Sequence, residues 1–289
     1  MKLKTLLELG RISNLPTVWS NVLAGIVIAE GVIDLKSTLI LIASLSLFYI
    51  GGMFLNDAFD TEFDIIEKPE RPIPSKKISQ KIVFIIGFTL LILGIFLLYI
   101  EALTTNVFNL NLILFLGMLL SIFIIIYNKY HKNNPYSPLI MGLCRISIYF
   151  IVSAFFLSYF NIHILEASIF LLSYLIGLTY LAKQENVGYL KNQWPLLFLI
   201  APIIYSYTLI ENYFSFVALG IFIINIFIAL YFTYSVKNRN IKKSVTFLIS
   251  GICIYDAILI IHHEEVNLAI LSLIFFVLTL FFQKYISGT

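Results

Sequence analysis

The chain has 289 residues, 60% of them hydrophobic and only 12% charged, with a net charge of +3 and a mean hydropathy of +0.95. A soluble domain carries about 25% charged residues, so a compact water-soluble fold of this composition would expose large apolar patches. Bilayer-spanning helices of about 20 mostly apolar residues remove that difficulty, and apolar runs such as 82–100 lack the alternation of a transmembrane β-barrel.

In chain order, residues 1–9 place Leu3, Leu6 and Leu7 on one side. They fit either a short interfacial helix or a solvated tail, and no signal-peptide cleavage site follows them. Ten apolar segments come next, at 16–33, 38–59, 82–100, 107–127, 139–160, 164–181, 195–210, 214–234, 245–261 and 266–282. The seventh and ninth are short. The expected fold is therefore an all-α polytopic membrane protein, a bundle of about nine to ten transmembrane helices, with a single domain over 1–289. Charge tests the count independently, because cytoplasmic loops concentrate Lys and Arg. Of the 19 Lys and Arg, only Lys36 and Arg145 fall outside the N-terminal stretch, the C-terminal tail and the loops after the even-numbered segments. Lys2 and Lys191 belong to that pattern. The opposite loops collect Glu30, Asp34, Glu101, Glu166, Glu211, Glu264 and Glu265. This alternation favours ten spans, with both termini cytoplasmic and the chain in the cell (inner) membrane. Cys144 and Cys253 both lie in apolar segments and imply no disulfide framework.

The second segment runs into Asn56-Asp57-Ala58-Phe59-Asp60-Thr61-Glu62-Phe63-Asp64. If the helix continues, Asp57, Asp60 and Asp64 share a face, with Asn56 beside them. Carboxylates at a helix C-terminus oppose the dipole, and like charges at a low-dielectric boundary repel strongly. A bound cation resolves both problems, and a hard ion such as Mg²⁺ takes few protein oxygens plus substrate phosphates. The alternative is a solvated acidic helix end. The next residues, Glu67 to Lys77, contain Pro69, Pro72 and Pro74, which stiffen the loop, and bring Lys68, Arg71, Lys76 and Lys77 close to the carboxylates. Cations beside a metal–carboxylate set suit a diphosphate. For any single lysine the positive-inside bias is explanation enough.

Asn-Asp-x-x-Asp-x-x-x-Asp followed by Arg-Pro-x-Pro-Ser resembles the first signature of the UbiA superfamily of intramembrane prenyltransferases. The opening 11–21 run and the Tyr127-to-Lys132 run are also similar to that family. The resemblance implies helices around a lipid-open central cavity, a prenyl diphosphate with its head at the cytoplasmic mouth, and an aromatic or lipid acceptor. It also implies Mg²⁺-assisted ionisation of the donor. Asn56, Asp57, Asp60 and Asp64 would then be metal ligands, with Arg71 and Lys77 on the diphosphate. Asn21, Lys129, Arg145 and Lys183 are further candidates for substrate binding. The family's second aspartate pair is replaced here by Lys183-Gln184-Glu185-Asn186, which leaves Glu185 as the one carboxylate and Asn186 as a neutral donor. Lys76 stands where the family often has Gly. Two functions fit: prenyl transfer, and non-catalytic binding or movement of a lipid or hydrophobic metabolite. An ion-coupled transporter fits less well, because the acidic run is interfacial and paired broken helices are absent. Two other readings stay open. Asp256 is either an acceptor-binding group or a clamp between helices, and His262 and His263 are either a metal site or a solvated loop. The 26 Phe and 17 Tyr either line a carbocation-tolerant cavity or simply fill the membrane.

Overall fold

The computed structural model describes residues 3–31, 34–105, 107–132, 134–185, 190, 192–235 and 237–288. Lys2, Asn186 and Lys191 therefore lie outside the described residues. The elements are α1 Leu3–Leu9, α2 Leu15–Ile28, α3 Leu35–Phe59, α4 Thr61–Glu67, α5 Gln80–Thr104, α6 Leu110–Tyr130, α7 Ser137–Phe156, α8 Ile162–Lys183, α9 Ile200–Thr208, α10 Tyr213–Tyr234, α11 Ile241–His262 and α12 Val266–Phe282. The chain is all-helical, as a lipid-exposed backbone must be when no water is present to satisfy its polar groups.

Side-chain caps start the long helices where the sequence turns polar. Asp34, Ser79, Asn109, Asn161, Asn212 and Asn240 each accept a backbone N–H at the start of α3, α5, α6, α8, α10 and α11 respectively. Among the described residues, seven helices (α3, α5, α6, α7, α8, α10 and α11) are long and apolar enough to cross a membrane. Three shorter apolar stretches, Ile12–Ile28, Trp194–Thr208 and Val266–Phe282, occupy the other predicted segments. The protein is thus a multi-pass membrane protein. The seventh segment is short, as expected. The ninth is not: Asn240 caps α11 early, so Lys242 and Lys243 join a 22-residue helix. The N-terminal stretch is helical, and Leu9 is buried beneath it.

Two apolar clusters make the core. One joins α3, α5 and α6, and the other joins α8, α10 and α11. Both are shared by α2 and α7, which place neighbouring residues on opposite sides: Val22 and Leu23 on α2, Ile148 and Tyr149 on α7. Small residues let helices close up. A Cβ on Gly51 would lie 2.9 Å from the Gly87 carbonyl oxygen, and one on Gly87 would lie 2.8 Å from Leu55, so α3 and α5 touch through their backbones.

A buried polar knot ties the two halves together. Asp256 on α11 is fully enclosed. It accepts hydrogen bonds from Ser20 (2.5 Å), from Asn21 Nδ2 to both carboxylate oxygens (2.9 Å each) and from Tyr149 (2.5 Å). Asp256 is thus a clamp between α2, α7 and α11. Replacing it by Ala would strand three buried donors at about 1–3 kcal/mol each. Thermal unfolding in detergent should show a large drop for Asp256→Ala and a smaller one for Asp256→Asn.

Candidate active site

α3 ends at Phe59, Asp60 keeps an αR backbone (φ −83°), and α4 begins at Thr61. The Asp60 N–H donates to the Asn56 carbonyl and the Asp64 N–H to the Asp60 carbonyl. The helical path therefore survives the junction, and the acidic run projects from it as a group. Its three aspartates divide between two sets of cations. Arg71 Nη1 lies 2.8 Å from Asp64 Oδ2 and 3.4 Å from Asp57 Oδ1. Arg11 Nη2 donates to Asp57 Oδ1 (3.1 Å) and to Asn56 Oδ1 (3.0 Å). Asp60 faces the other way, with Lys132 Nζ at 2.8 Å and His131 Nε2 at 3.5 Å.

Each cation arrives on a different element. Arg11 occupies a left-handed bend (φ 41°) before α2, a conformation that non-glycine residues rarely adopt. Arg71 belongs to the proline loop, which Ile73 and Ile78 pin to Leu9, Phe54, Ala58 and Val83. Lys76 in that loop has φ 60°, a left-handed conformation that glycine adopts at no steric cost. His131 and Lys132 follow α6. Asn128 fixes that helix end by donating to the Gly52 carbonyl (2.9 Å) and accepting from Asn56 Nδ2 (3.1 Å).

Burial and charge compete at this rim. Burial pushes the Asp64 carboxyl up, Arg71 pulls it down, and Asp57 and Asp60 push it up again, so it ends above its ordinary value. Burial also works upward on Asp60, but hydrogen bonds and charge from His131 and Lys132 outweigh it and hold that carboxyl below its ordinary value. Burial lowers Lys68 and so does Arg71, while Glu185 opposes them. The charge of Glu185, at the end of α8, thus reaches the proline loop.

Behind the rim lies a cavity of about 1160 Å³, part of it open to the outside. Its polar end carries Arg11, Asn14, Asn56, Tyr127, Asn128 and Arg145. Its walls are Val18, Leu45, Phe48, Leu120, Ile124, Ile148, Leu175, Leu178, Val245, Ile249 and Ile252. Along α3 the lining runs from Asn56 to Leu45, about 16 Å at 1.5 Å per residue. The lining on α2, α7 and α11 stops within one turn of Asn21, Tyr149 and Asp256, so the polar knot underlies the cavity floor. A charged rim over an apolar hole that deep suits an amphiphile with an anionic head.

Comparison with known proteins agrees. The model of the UbiA prenyltransferase family matches residues 18–191. The chain belongs to the UbiA prenyltransferase family. A digeranylgeranylglyceryl phosphate synthase from Methanococcus aeolicus is 35% identical over 136 residues, 46% of this chain and 46% of that protein. The Saccharolobus solfataricus enzyme of the same name is 30% identical over 159 residues, 54% of each chain. The chain thus matches about half the length of these curated relatives. Among solved structures, one from work on digeranylgeranylglyceryl phosphate synthase in membranes aligns with a TM-score of 0.61 at 22% identity, covering 91% of this chain and 99% of that one. A UbiA homolog from Archaeoglobus fulgidus, bound to DMAPP and Mg²⁺, aligns with the same TM-score at 15% identity, covering 91% and 98%. These likenesses establish the UbiA fold.

The structure sorts the UbiA-like candidates. Asn56, Asp57, Asp60, Asp64 and Arg71 are brought together, and Arg145 lines the cavity, where its guanidinium donates to Thr17. Four candidates do not join them. Asn21 spends its amide donors on Asp256 and is fully buried outside the cavity. The Lys183 ammonium is taken up by Ser137 Oγ and the carbonyls of His131 and Asn134. Lys129 is exposed over the Tyr130 ring, and Lys77 is exposed on the loop. Each of the last two lies within a basic stretch whose other members do the contacting. Among the described residues, no three His, Cys, Asp or Glu side chains converge as a ready metal cage, while the charge of Glu185 acts on Lys68 of the proline loop. His262 lies at the opposite end of α11 from the rim, 3.4 Å from Glu211, with its ring beside that of His263. Composition overlooked Arg11, Asn14, Asn128, His131 and Lys132. The family resemblance of the 11–21 and 127–132 runs that contain them, with their polarity beside apolar segments, was the available signal.

The depressed Asp60 carboxyl makes the folded rim favour its charged form. Its contribution to stability is complete above the ordinary carboxylate pKa of about 4 and is lost as pH falls through the folded value. Asp60→Asn should therefore lower the unfolding temperature at pH 7, and the gap to the wild type should close toward pH 3.

Proposed function

We propose that this protein transfers a prenyl group from a prenyl diphosphate to a lipid or aromatic acceptor within the membrane. The observation that carries the reading is the rim itself: carboxylates and an amide oxygen interleaved with guanidinium and ammonium groups, directly over a deep apolar cavity. The names of the matched relatives favour a glycerol-phosphate lipid as acceptor. We also propose that residues 1–289 act as one domain and that the rim faces the cytoplasm, on the strength of the Lys and Arg distribution.

The donor set suits Mg²⁺. Asp57 and Asp64 each place an oxygen within 3.4 Å of one Arg71 nitrogen, and Mg²⁺ needs only one or two carboxylates when phosphates and water complete its shell. Asp57, Asp64 and Asn56 would hold it, with Asp60 beside them, and a bound Mg²⁺ would offset negative charge on the departing diphosphate. The chain's own residues do the rest. Arg71 and Arg11, drawn off their carboxylates, hold the head by charge-assisted hydrogen bonds. As the allylic C–O bond breaks, those fixed cations stabilise the oxygens that gain charge. The apolar walls orient the tail and exclude water from the electron-deficient carbon. Glu185, whose charge acts on Lys68, is the remaining acidic contributor.

A second reading rests on one specific observation. With Lys183 tied to the 131–137 connection and Glu185 the only carboxylate of the second motif, the rim has a single acidic wall. That arrangement is compatible with a binder that never cleaves its ligand.

Purified protein in nanodiscs, given Mg²⁺, prenyl diphosphates of several lengths and lipid extract, should release diphosphate and form a prenylated product detectable by mass spectrometry. Asp60→Ala should cut release by about 100-fold or more, the scale of losing one preorganised electrostatic group. Asn21→Ala should lower stability without a comparable loss per folded molecule. Binding of donor without release would favour the second reading.

A further inference from the structure

The chain does not stop at the end of α12. After Phe282 it makes a helical turn, in which the N–H groups of Tyr285 and Ile286 both donate to the Phe282 carbonyl. It then crosses the polar end of the cavity, where Gly288 forms part of the wall. A buried side chain bridges it to the rest of the fold. Asn14 is buried just before α2, and its Oδ1 accepts from Gln283 Nε2 at 2.8 Å. Its Nδ2 donates to the Gly288 carbonyl at 3.0 Å and to the Tyr49 hydroxyl at 3.1 Å. The Asn14 amide thus links both ends of the segment to α3. A Cβ on Gly288 would lie 2.6 Å from Asn14 Oδ1 and 3.0 Å from Gln283 Cδ, so the strap packs directly against its two side-chain partners, and a side chain at 288 requires those two to shift.

We propose that residues 283–288 are a strap over the polar end of the cavity and that Asn14 is its latch. Lys284 and Tyr285 are exposed, so the strap is held by a few hydrogen bonds more than by apolar burial. Each such bond biases the closed form by only about fivefold, which leaves opening within reach of thermal fluctuation. When latched, the strap narrows the way in beside Arg11 and Tyr49 and keeps water out of the hole. When released, it opens the same side to an incoming or leaving amphiphile. Lids of this kind gate many enclosed sites. The strap requires only an occupied cavity and does not depend on whether the occupant is cleaved.

The protein carries its own reporter, because Cys144 lines the cavity and Cys253 is fully buried outside it. The full-length protein in nanodiscs is treated with a water-soluble maleimide, and modification at each cysteine is followed by mass spectrometry. Gln283→Ala should speed labelling of Cys144 by about fivefold and Asn14→Ala by up to about thirtyfold, the factors expected when one and two net hydrogen bonds to the strap are lost. Cys253 should stay unlabelled, which certifies the fold. In Asn14→Cys/Gly288→Cys, oxidation should slow Cys144 labelling below the wild-type rate, and reduction should restore it. Wild-type labelling rates in both single variants, with Cys253 protected, would overturn the proposal. So would a locked double variant in which Cys144 reacts as fast as in the reduced form. Neither readout involves diphosphate release, so failure of the strap and failure of the transfer reading are separable.

Discussion

Three carboxylates at the end of a membrane helix have to be neutralised, and much of the molecule is arranged to do it. Asp57, Asp60 and Asp64 lie within two turns of one another, close to a medium of low dielectric, where their mutual repulsion is poorly screened. The fold answers from three directions: Arg11 on a left-handed bend, Arg71 on a loop stiffened by proline, and His131 with Lys132 after α6. Each of those segments has its own anchor. Asn128 holds the end of α6 to α3, and a small apolar cluster under Ile73 and Ile78 holds the loop. Cations placed this way are also where an incoming anion would look for partners. The groups that neutralise the rim carboxylates are the groups a diphosphate would recruit.

Deeper in, polarity is used for a different purpose. Ser20, Asn21 and Tyr149 all donate to Asp256, and the four sit at the junction of both apolar clusters without facing the cavity. Buried hydrogen bonds of this kind specify which helix faces meet. Here they fix α2, α7 and α11, the three helices whose lining residues end at the cavity floor. The space between the knot and the rim is apolar and about 16 Å deep along α3, which matches a lipid-like tail more closely than a small polar metabolite.

The sequence carried the architecture well, because a bilayer imposes one simple rule. Segments of sufficient length and apolarity become helices, and the acidic run after segment two marked the rim in advance. What it could not carry was direction. Asn21 read as a substrate-binding candidate and Asp256 as either an acceptor-binding group or a clamp, and only three-dimensional packing shows them bonded to each other. Lys129 and Lys132 sit three residues apart in one basic run, and the turn after α6 decides that Lys132 reaches Asp60 while Lys129 lies over Tyr130. Arg11 was invisible as a site residue, since its role depends on a bend 45 positions from Asn56. The early start of α11 was hidden because polarity at Lys242 and Lys243 reads as loop until Asn240 is recognised as a cap.

The claim on which the account turns is that the rim holds a metal ion and the phosphates of a prenyl diphosphate together. The most direct measurement is ³¹P electron–nuclear double resonance of Mn²⁺ bound to the nanodisc-embedded protein with a non-cleavable prenyl thiodiphosphate. The account predicts a resolved phosphorus coupling in the wild type that disappears in Asp57→Asn and Asp64→Asn. Phosphorus coupling that survives both substitutions, or thiodiphosphate bound with no phosphorus near the metal, would contradict it.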